Sequence, residues 1–368
     1  MSGHPLAGGC RRPPAEHFDV ALLDLDGVVY VGADAVPGAP EALSSAARAG
    51  MRLAYVTNNA ARTPDEVAAH LTRLGVPAVA DDVITSSQVA AAVVAAQWPP
   101  GARVLPVGGP GVAAALRASG LTVVDSAEEG PVAVVQGYGP QVGWAELAEA
   151  VVAVRNGARH VATNGDATIP SPRGPLPGNG AMVGIVAAVT GQLPMITGKP
   201  DPAMHAECVR RTGARRPLVV GDRLDTDIEG ARRAGAASLL VLTGVTDPST
   251  LLGAQPHQRP DLLAPDAAGL LVPHPVVSSD NVGTRCGSWT VRGKEGESVL
   301  VLERDSEAEQ DDPRDGSDSG EGDRVNGLRA LCVAHWTRHP DDAAPARVAA
   351  AGVRAVQALR DWGLSTEQ

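Results

Sequence analysis

Aromatic residues are scarce in this 368-residue chain: one Phe, three Tyr and five Trp, 2% in all. Single-stranded nucleic acid is held largely by base stacking on aromatic faces, and a net charge of −11 opposes a phosphate backbone. Nucleic acid is therefore excluded as a partner. Lysine is scarcer still, with Lys199 and Lys294 the only two among 31 basic residues. The four cysteines, Cys10, Cys208, Cys286 and Cys332, form no C-x-x-C pair, which fits reduced thiols in a cytoplasmic protein better than a disulfide framework or a zinc site. No apolar run approaches the roughly 18 residues of a membrane span, so no membrane partner is expected. Arg11 and Arg12 are not followed by an apolar stretch of the signal-peptide kind. Residues 1–18 accordingly read as a flexible tail.

The remaining composition, 44% apolar and 20% charged, is that of an ordinary globular protein and excludes wholesale disorder and collagen-like repeats. The acidity is local. Residues 303–323 hold ten Asp or Glu and two Arg, a net of −8, and the rest of the chain is nearly balanced. A segment this polar, rich also in Ser and Gly, is expected to stay disordered over about 305–323.

Short aliphatic runs at 19–25, 52–57 and 217–220 read as fully buried strands separated by helical patterns, which implies a parallel, doubly wound sheet. The first helix is expected at 39–49. The second starts from the Thr63 cap with Pro64 behind it and stops at Gly75, and the third covers 87–97. From 101 to 193 a second set of strands (V-L-P-V, T-V-V, V-A-V-V-Q and H-V-A-T) and a helix at 144–155 interrupt the first pattern. The fold class is thus α/β: a core at 19–100 and 194–274, an inserted α/β cap at 101–193, and a small C-terminal accessory region at 275–368. In that last region strands are expected at 288–292, 298–303 and 328–334, with a helix at 343–362. It carries none of the motifs below and is expected to be dispensable for chemistry.

The chemistry gathers where strands end. Asp24 and Asp26 close the first run, and carboxylates this near one another need a cation between them or a proton on one. The second run ends in Thr57-Asn58-Asn59, a hydroxyl and an amide. Lys199 stands in Thr-Gly-Lys-Pro within a chain that otherwise uses Arg, and a compact ammonium is not interchangeable with a guanidinium. After the apolar strand at 217–220 comes Gly221-Asp222-Arg223-Leu224-Asp225-Thr226-Asp227. Its acids, with the first pair, make an oxygen-rich cage suited to Mg2+. An EF-hand starting at Asp225 fails because its twelfth position is Ala236, which offers no carboxylate. The Gly108-Gly109-Pro110-Gly111 and Gly178-Asn179-Gly180 stretches lack the spacing of phosphate loops and read as turns. Together these parts describe phosphoryl transfer through an aspartyl-phosphate. Asp24 is the nucleophile, Asp26 the general acid and base, and Thr57 and Lys199 hold the equatorial oxygens.

In these motifs, taken in chain order, the sequence resembles the haloacid-dehalogenase-like phosphatases. The interposed cap and the groups V-T-N-N (56–59), T-N-G-D (163–166), P-G-N-G (177–180) and T-G-K-P (197–200) resemble subclass IIA. That resemblance covers about 19–273. It implies Mg2+ held by Asp24, the backbone carbonyl of Asp26, and Asp222, with Asp227 supporting, and substrate chosen by cap residues Asn164, Asp166 and Arg173 together with Asn58. The extra C-terminal length resembles bacterial members that act on glycerol 3-phosphate; 2-phosphoglycolate, pyridoxal phosphate and nucleotides remain alternatives. The partner is then a small phosphomonoester, and any homo-oligomer would form through the cap. A phospho-accepting signalling module also uses an acceptor Asp, a Thr and a Lys, but has no acid two residues on and no cap.

Overall fold

In the computed structural model residues 5–169, 173–293, 299–305 and 319–364 are described, the side chains of 319–321 apart. The chain divides into two compact units, Met1–Leu53 with Arg215–Gln368, and Ala54–Ala214.

In the first unit the strand Val20–Leu23 pairs in parallel with Pro217–Gly221, then Ala237–Val241, then Leu262–Ala264. Every residue of Val20–Leu23 is buried, which is why the run reads as unbroken aliphatic sequence instead of alternating. The helix Ala39–Arg48 turns Ala39, Ala42, Leu43 and Ala46 inward, an i, i+3, i+4, i+7 stripe.

The C-terminal part of this unit is a five-stranded sheet in the order Ser278–Ser279, Thr284–Cys286, Trp289–Arg292, Val299–Arg304 and Arg347–Ala351. All its pairs are antiparallel except the last. Two expectations fail here. The strand expected at 328–334 lies inside the helix Ser319–Arg338. Leu328 through Ala334 are all buried, and a segment buried all round has no period by which to tell strand from helix. The helix expected at 343–362 is the strand Arg347–Ala351 followed, past Gly352 at φ 92°, by the helix Val353–Asp361. Pairing with Val299–Glu303 overrides the helical preference of alanine.

Of the acidic segment expected to be disordered, residues 306–318 lie outside the described residues, whereas 319–323 begin the long helix. Asp323 accepts from Ser288 Oγ at 2.9 Å and Trp289 Nε1 at 3.2 Å and pairs with Arg304 at 3.0 Å. The flexible tail expected at 1–18 is also corrected over its described part. Leu6 is buried, Cys10 and His274 exchange two backbone bonds of 2.8 Å, and Val277 donates to the Ala7 carbonyl.

The C-terminal region is not a separable appendage. One hydrophobic cluster contains Leu224, Ile228, Leu240, Leu252 and Leu263 along with Trp289, Leu331 and Trp336. Trp336 Nε1 donates to the Leu252 carbonyl at 3.0 Å. Arg259, buried under the Trp336 ring at 5.3 Å, donates to the carbonyls of Ala254, His339, Pro340 and Asp342.

The second unit holds the parallel pairing of Tyr55, Val56 and Thr57, from the strand Arg52–Thr57, with Val83–Thr85, and a parallel five-stranded sheet. Its order is Met195–Ile196, Arg159–Ala162, Ala133–Gln136, Arg103–Val107, Thr122–Val123. Val104 and Val135 face a cluster with residues of the helices Ser86–Gln97 and Pro110–Ala118. Leu105 and Val134 face the opposite cluster, with residues of Trp144–Arg155 and Asn179–Thr190. Alternate residues thus point to opposite cores, as the pleat requires.

The shared core makes two outcomes testable. Trp336→Ala should lower stability by about 3–5 kcal/mol, the usual cost of emptying a buried aromatic site, as read from denaturant unfolding. A chain ended after Pro275 should be insoluble or unfolded; a soluble fragment that unfolds cooperatively would show that the core does not need its C-terminal half.

Candidate active site

In the first unit the chain leaves the strand Val20–Leu23 with the Asp24 amide still donating to Val220 at 2.8 Å. It then turns tightly. The Leu25 carbonyl accepts from Val28, Val29 and Tyr30, and Gly27 donates to Tyr30. With Leu25, Val28 and Val29 buried, the two acids are left at the strand end, Asp24 half-buried and Asp26 exposed. Asp222 follows Pro217–Gly221 and is fully buried, and Asp227 lies in a one-turn π-helix, Leu224–Ile228, a distortion frequent at functional sites.

One carboxylate oxygen from each of Asp24, Asp222 and Asp227 lies within 4.8 Å of the others. Asp26 is not among them through its side chain. Asp222 Oδ2 accepts the Val245 amide at 2.6 Å, its carbonyl accepts the Thr246 amide, and Asp227 Oδ2 accepts the Arg223 amide at 3.2 Å. The backbone yields to these acids at three glycines. A Cβ at Gly244 would stand 2.0 Å from Asp222 Oδ2, one at Gly27 (φ +85°) 2.5 Å from it, and one at Gly221 2.3 Å from Asp227 Cγ. Two carboxylates about 4 Å apart repel by roughly 4 kcal/mol at an effective dielectric near 20. Buried oxygens without a soft donor among them suit a hard divalent cation, and Mg2+ fits this donor set.

In the second unit Thr57 ends its strand with its hydroxyl accepting the Asn59 amide at 3.0 Å. Lys199 Nζ donates to the Val56 carbonyl at 3.3 Å, at the same strand end. Asn58 is the hub of this group. Its Oδ1 accepts the Lys199 amide at 2.9 Å, and its Nδ2 donates to the Lys199 carbonyl at 3.1 Å and to Asp166 Oδ2 at 3.3 Å. Its carbonyl accepts Asn164 Nδ2 and Ser86 Oγ. The structure therefore joins Asn58, Asn164, Asp166 and Lys199 in one network, in which the amides of Asn58 and Asn164 are engaged with protein. Arg173 is exposed, in the turn before Leu176–Pro177.

Sequence reading missed several contributors. The backbone amides of Val245 and Thr246 leave no side-chain signature. Thr243, whose hydroxyl donates to the Gly27 carbonyl, follows a strand that carries no acid. Asn179 opens the helix Asn179–Thr190 instead of a mere turn, and its Nδ2 donates to the carbonyls of Gln136 and Asn164; an Asn at the head of an apolar run was the available sign.

A family model described as haloacid dehalogenase-like hydrolase matches residues 21–122, and a HAD-hydrolase-like one matches 196–270. The chain belongs to the haloacid dehalogenase-like hydrolases, in their subclass IIA phosphatase branch. More particularly, it is 42% identical over 95% of both chains to a D-glycerol 3-phosphate phosphatase of Mycobacterium tuberculosis. It is 39% identical to an acid sugar phosphatase of Staphylococcus saprophyticus, a match that spans 63% of this chain and 89% of that one. The crystal structure of the glycerol phosphate phosphatase from Mycobacterium tuberculosis in complex with magnesium superposes with a TM-score of 0.82 at 40% identity, over 96% of this chain and 99% of the other. Residues 286–364 match a GCN5-related N-acetyltransferase like domain.

Gly244→Ala tests the acidic cluster, because its Cβ must displace Asp222. Mg2+ affinity measured by calorimetric titration should fall about 10–100-fold, the scale seen when groups supporting metal ligands are disturbed. Unchanged affinity would show that Asp222 tolerates the displacement.

Proposed function

We propose that the protein is a Mg2+-dependent phosphomonoesterase that hydrolyses glycerol 3-phosphate in the cytoplasm. The observation that carries the substrate is the full-length likeness to a D-glycerol 3-phosphate phosphatase, which includes the C-terminal region, whereas the acid sugar phosphatase match stops at 63% of the chain. The cap loop supports a small substrate. Between 163 and 180 there is no aromatic residue, so a nucleobase would forgo stacking worth about 1–3 kcal/mol there. Four unpaired cysteines support the compartment.

In this reading Asp24, Asp222, Asp227 and the Asp26 carbonyl hold Mg2+, which when bound offsets the charge between carboxylate and phosphate. Asp24 Oδ attacks phosphorus, forming a P–O bond as the bond to the glycerol oxygen breaks. Asp26 gives its proton to that departing oxygen. It then takes a proton from the water that attacks phosphorus, and the Asp24 carboxylate is restored as inorganic phosphate leaves. Thr57 supplies a hydroxyl and Lys199 an ammonium for the phosphoryl oxygens, whose charge is redistributed in the transition state.

Asp24→Asn should fold and have no measurable steady-state turnover, since an amide cannot form the acyl-phosphate. Asp26→Asn should lose about 10²–10⁴ in rate on glycerol 3-phosphate at saturating Mg2+, with a smaller loss in the first step on an activated aryl phosphate. Parental activity in either variant would refute the assigned role. The substrate is tested by kcat/KM for glycerol 3-phosphate, 2-phosphoglycolate, pyridoxal phosphate and UMP under one set of conditions, where a lead for UMP would overturn the choice.

A further inference from the structure

We propose that Asn58 is a positioning residue that ties Lys199 and the cap-loop carboxylate of Asp166 together through one side-chain amide. This deepens the phosphatase reading and rests on it. An Asn side chain offers one oxygen and two N–H donors. Here the oxygen takes the Lys199 amide at 2.9 Å, and the nitrogen serves the Lys199 carbonyl at 3.1 Å and Asp166 Oδ2 at 3.3 Å. The first two bonds grip both main-chain polar groups of one residue and so fix the peptide planes on either side of Lys199. The third orients the acid that the cap loop offers to substrate hydroxyls.

The surroundings are built to this arrangement. A Cβ at Gly198 would lie 2.7 Å from Asn58 Oδ1 and 2.2 Å from the Thr163 carbonyl, so the residue before Lys199 is stripped to let the amide reach. Asn164 Nδ2 at 2.8 Å and Ser86 Oγ at 2.7 Å hold the Asn58 carbonyl. Asn164 Oδ1 accepts the Asp166 amide, and Asn179 in turn holds the Asn164 carbonyl at 2.9 Å. The loop carrying Asp166 is thereby fastened to Asn58 twice, once by the Asn164 side-chain amide on the Asn58 carbonyl and once by the Asp166 carboxylate on the Asn58 side chain. A hydroxyl drawn to Asp166 therefore acts on the same amide that orients Lys199, so recognition and phosphoryl binding are coupled. Asn58 works through these two residues and does not itself hold substrate.

The test is steady-state kinetics on the full chain with Mg2+, together with inhibition by inorganic phosphate, which reports the phosphoryl-binding groups without the glycerol part. Asn58→Ala should lower kcat on the order of 10²-fold, the cost of about 1 Å of misplacement at a reacting group. It should also raise both KM for glycerol 3-phosphate and Ki for phosphate. Asp166→Ala should raise KM and leave the phosphate Ki within about twofold. Added to Asn58→Ala it should cost little further, the non-additivity expected of residues in one network. Should Asn58→Ala fail to fold, Asn58→Asp keeps the acceptor for the Lys199 amide but sets a carboxylate against Asp166. Its kcat relative to wild type should rise on acidification, as the introduced carboxyl regains a proton to donate. Wild-type kcat and phosphate Ki in Asn58→Ala, additive losses in the double variant, or a pH-independent ratio for Asn58→Asp would each overturn the proposal. A wild-type protein inactive on every phosphomonoester would instead overturn the parent reading.

Discussion

The mutual repulsion of Asp24, Asp222 and Asp227, whose oxygens lie within 4.8 Å of one another, is the constraint to which the first unit is built. Burying carboxylates is costly unless they are paired and hydrogen-bonded. The chain answers with backbone amides, from Val245 to Asp222 and from Arg223 to Asp227. Amides can come this close only where side chains are absent, so Gly27, Gly221 and Gly244 stand against the acids. What remains is an oxygen-lined cluster whose residual repulsion a divalent cation would relieve, and the glycines shape that cluster as much as the acids do.

The second unit meets a different demand by similar means. Its loops must bring Asn58, Asn164, Asp166 and Lys199 into one network, and glycines mark the closest approaches to the 163–166 loop from residues 177–180 and 197–200. A Cβ at Gly180 would stand 2.2 Å from the Gly165 carbonyl, one at Gly178 2.3 Å from the Asp166 carbonyl, and one at Gly198 2.2 Å from the Thr163 carbonyl. The groups T-N-G-D, P-G-N-G and T-G-K-P are therefore not three independent turns. They are three sides of one packed junction, each glycine meeting a carbonyl of the 163–166 loop.

This explains which parts of the site were legible in the sequence. Acids and hydroxyls placed after apolar runs announce strand ends, and the strand ends at Asp24 and Asp222 in the first unit and at Thr57 in the second are where that pattern puts them. Gly178-Asn179-Gly180 read as a turn because its meaning lies in what it touches, and contact across a junction leaves no local period. Backbone donors such as Val245 are invisible for the same reason. The parallel strands of both units were readable as aliphatic runs, whereas the C-terminal elements were not. Leu328–Ala334 is buried on all sides and carries no period, and the alanine-rich Arg347–Ala351 is a strand only because Val299–Arg304 lies beside it.

The C-terminal region then raises a question of dependence, because no motif lies in it and yet the turn that carries Asp227 shares its hydrophobic cluster. Leu224 and Ile228, which bracket Asp227 in the π-helical turn, share a hydrophobic cluster with Leu331 and Trp336 of the long helix. Arg259 fastens the end of that helix to the segment carrying Ala254 and Leu252. Close-packed interiors transmit displacement instead of absorbing it. A change in the seat of Trp336 therefore reaches the turn through rigid neighbours. The region that matches an acetyltransferase-like family thus acts here as a support, and the absence of catalytic motifs in it is no sign that the chemistry is independent of it.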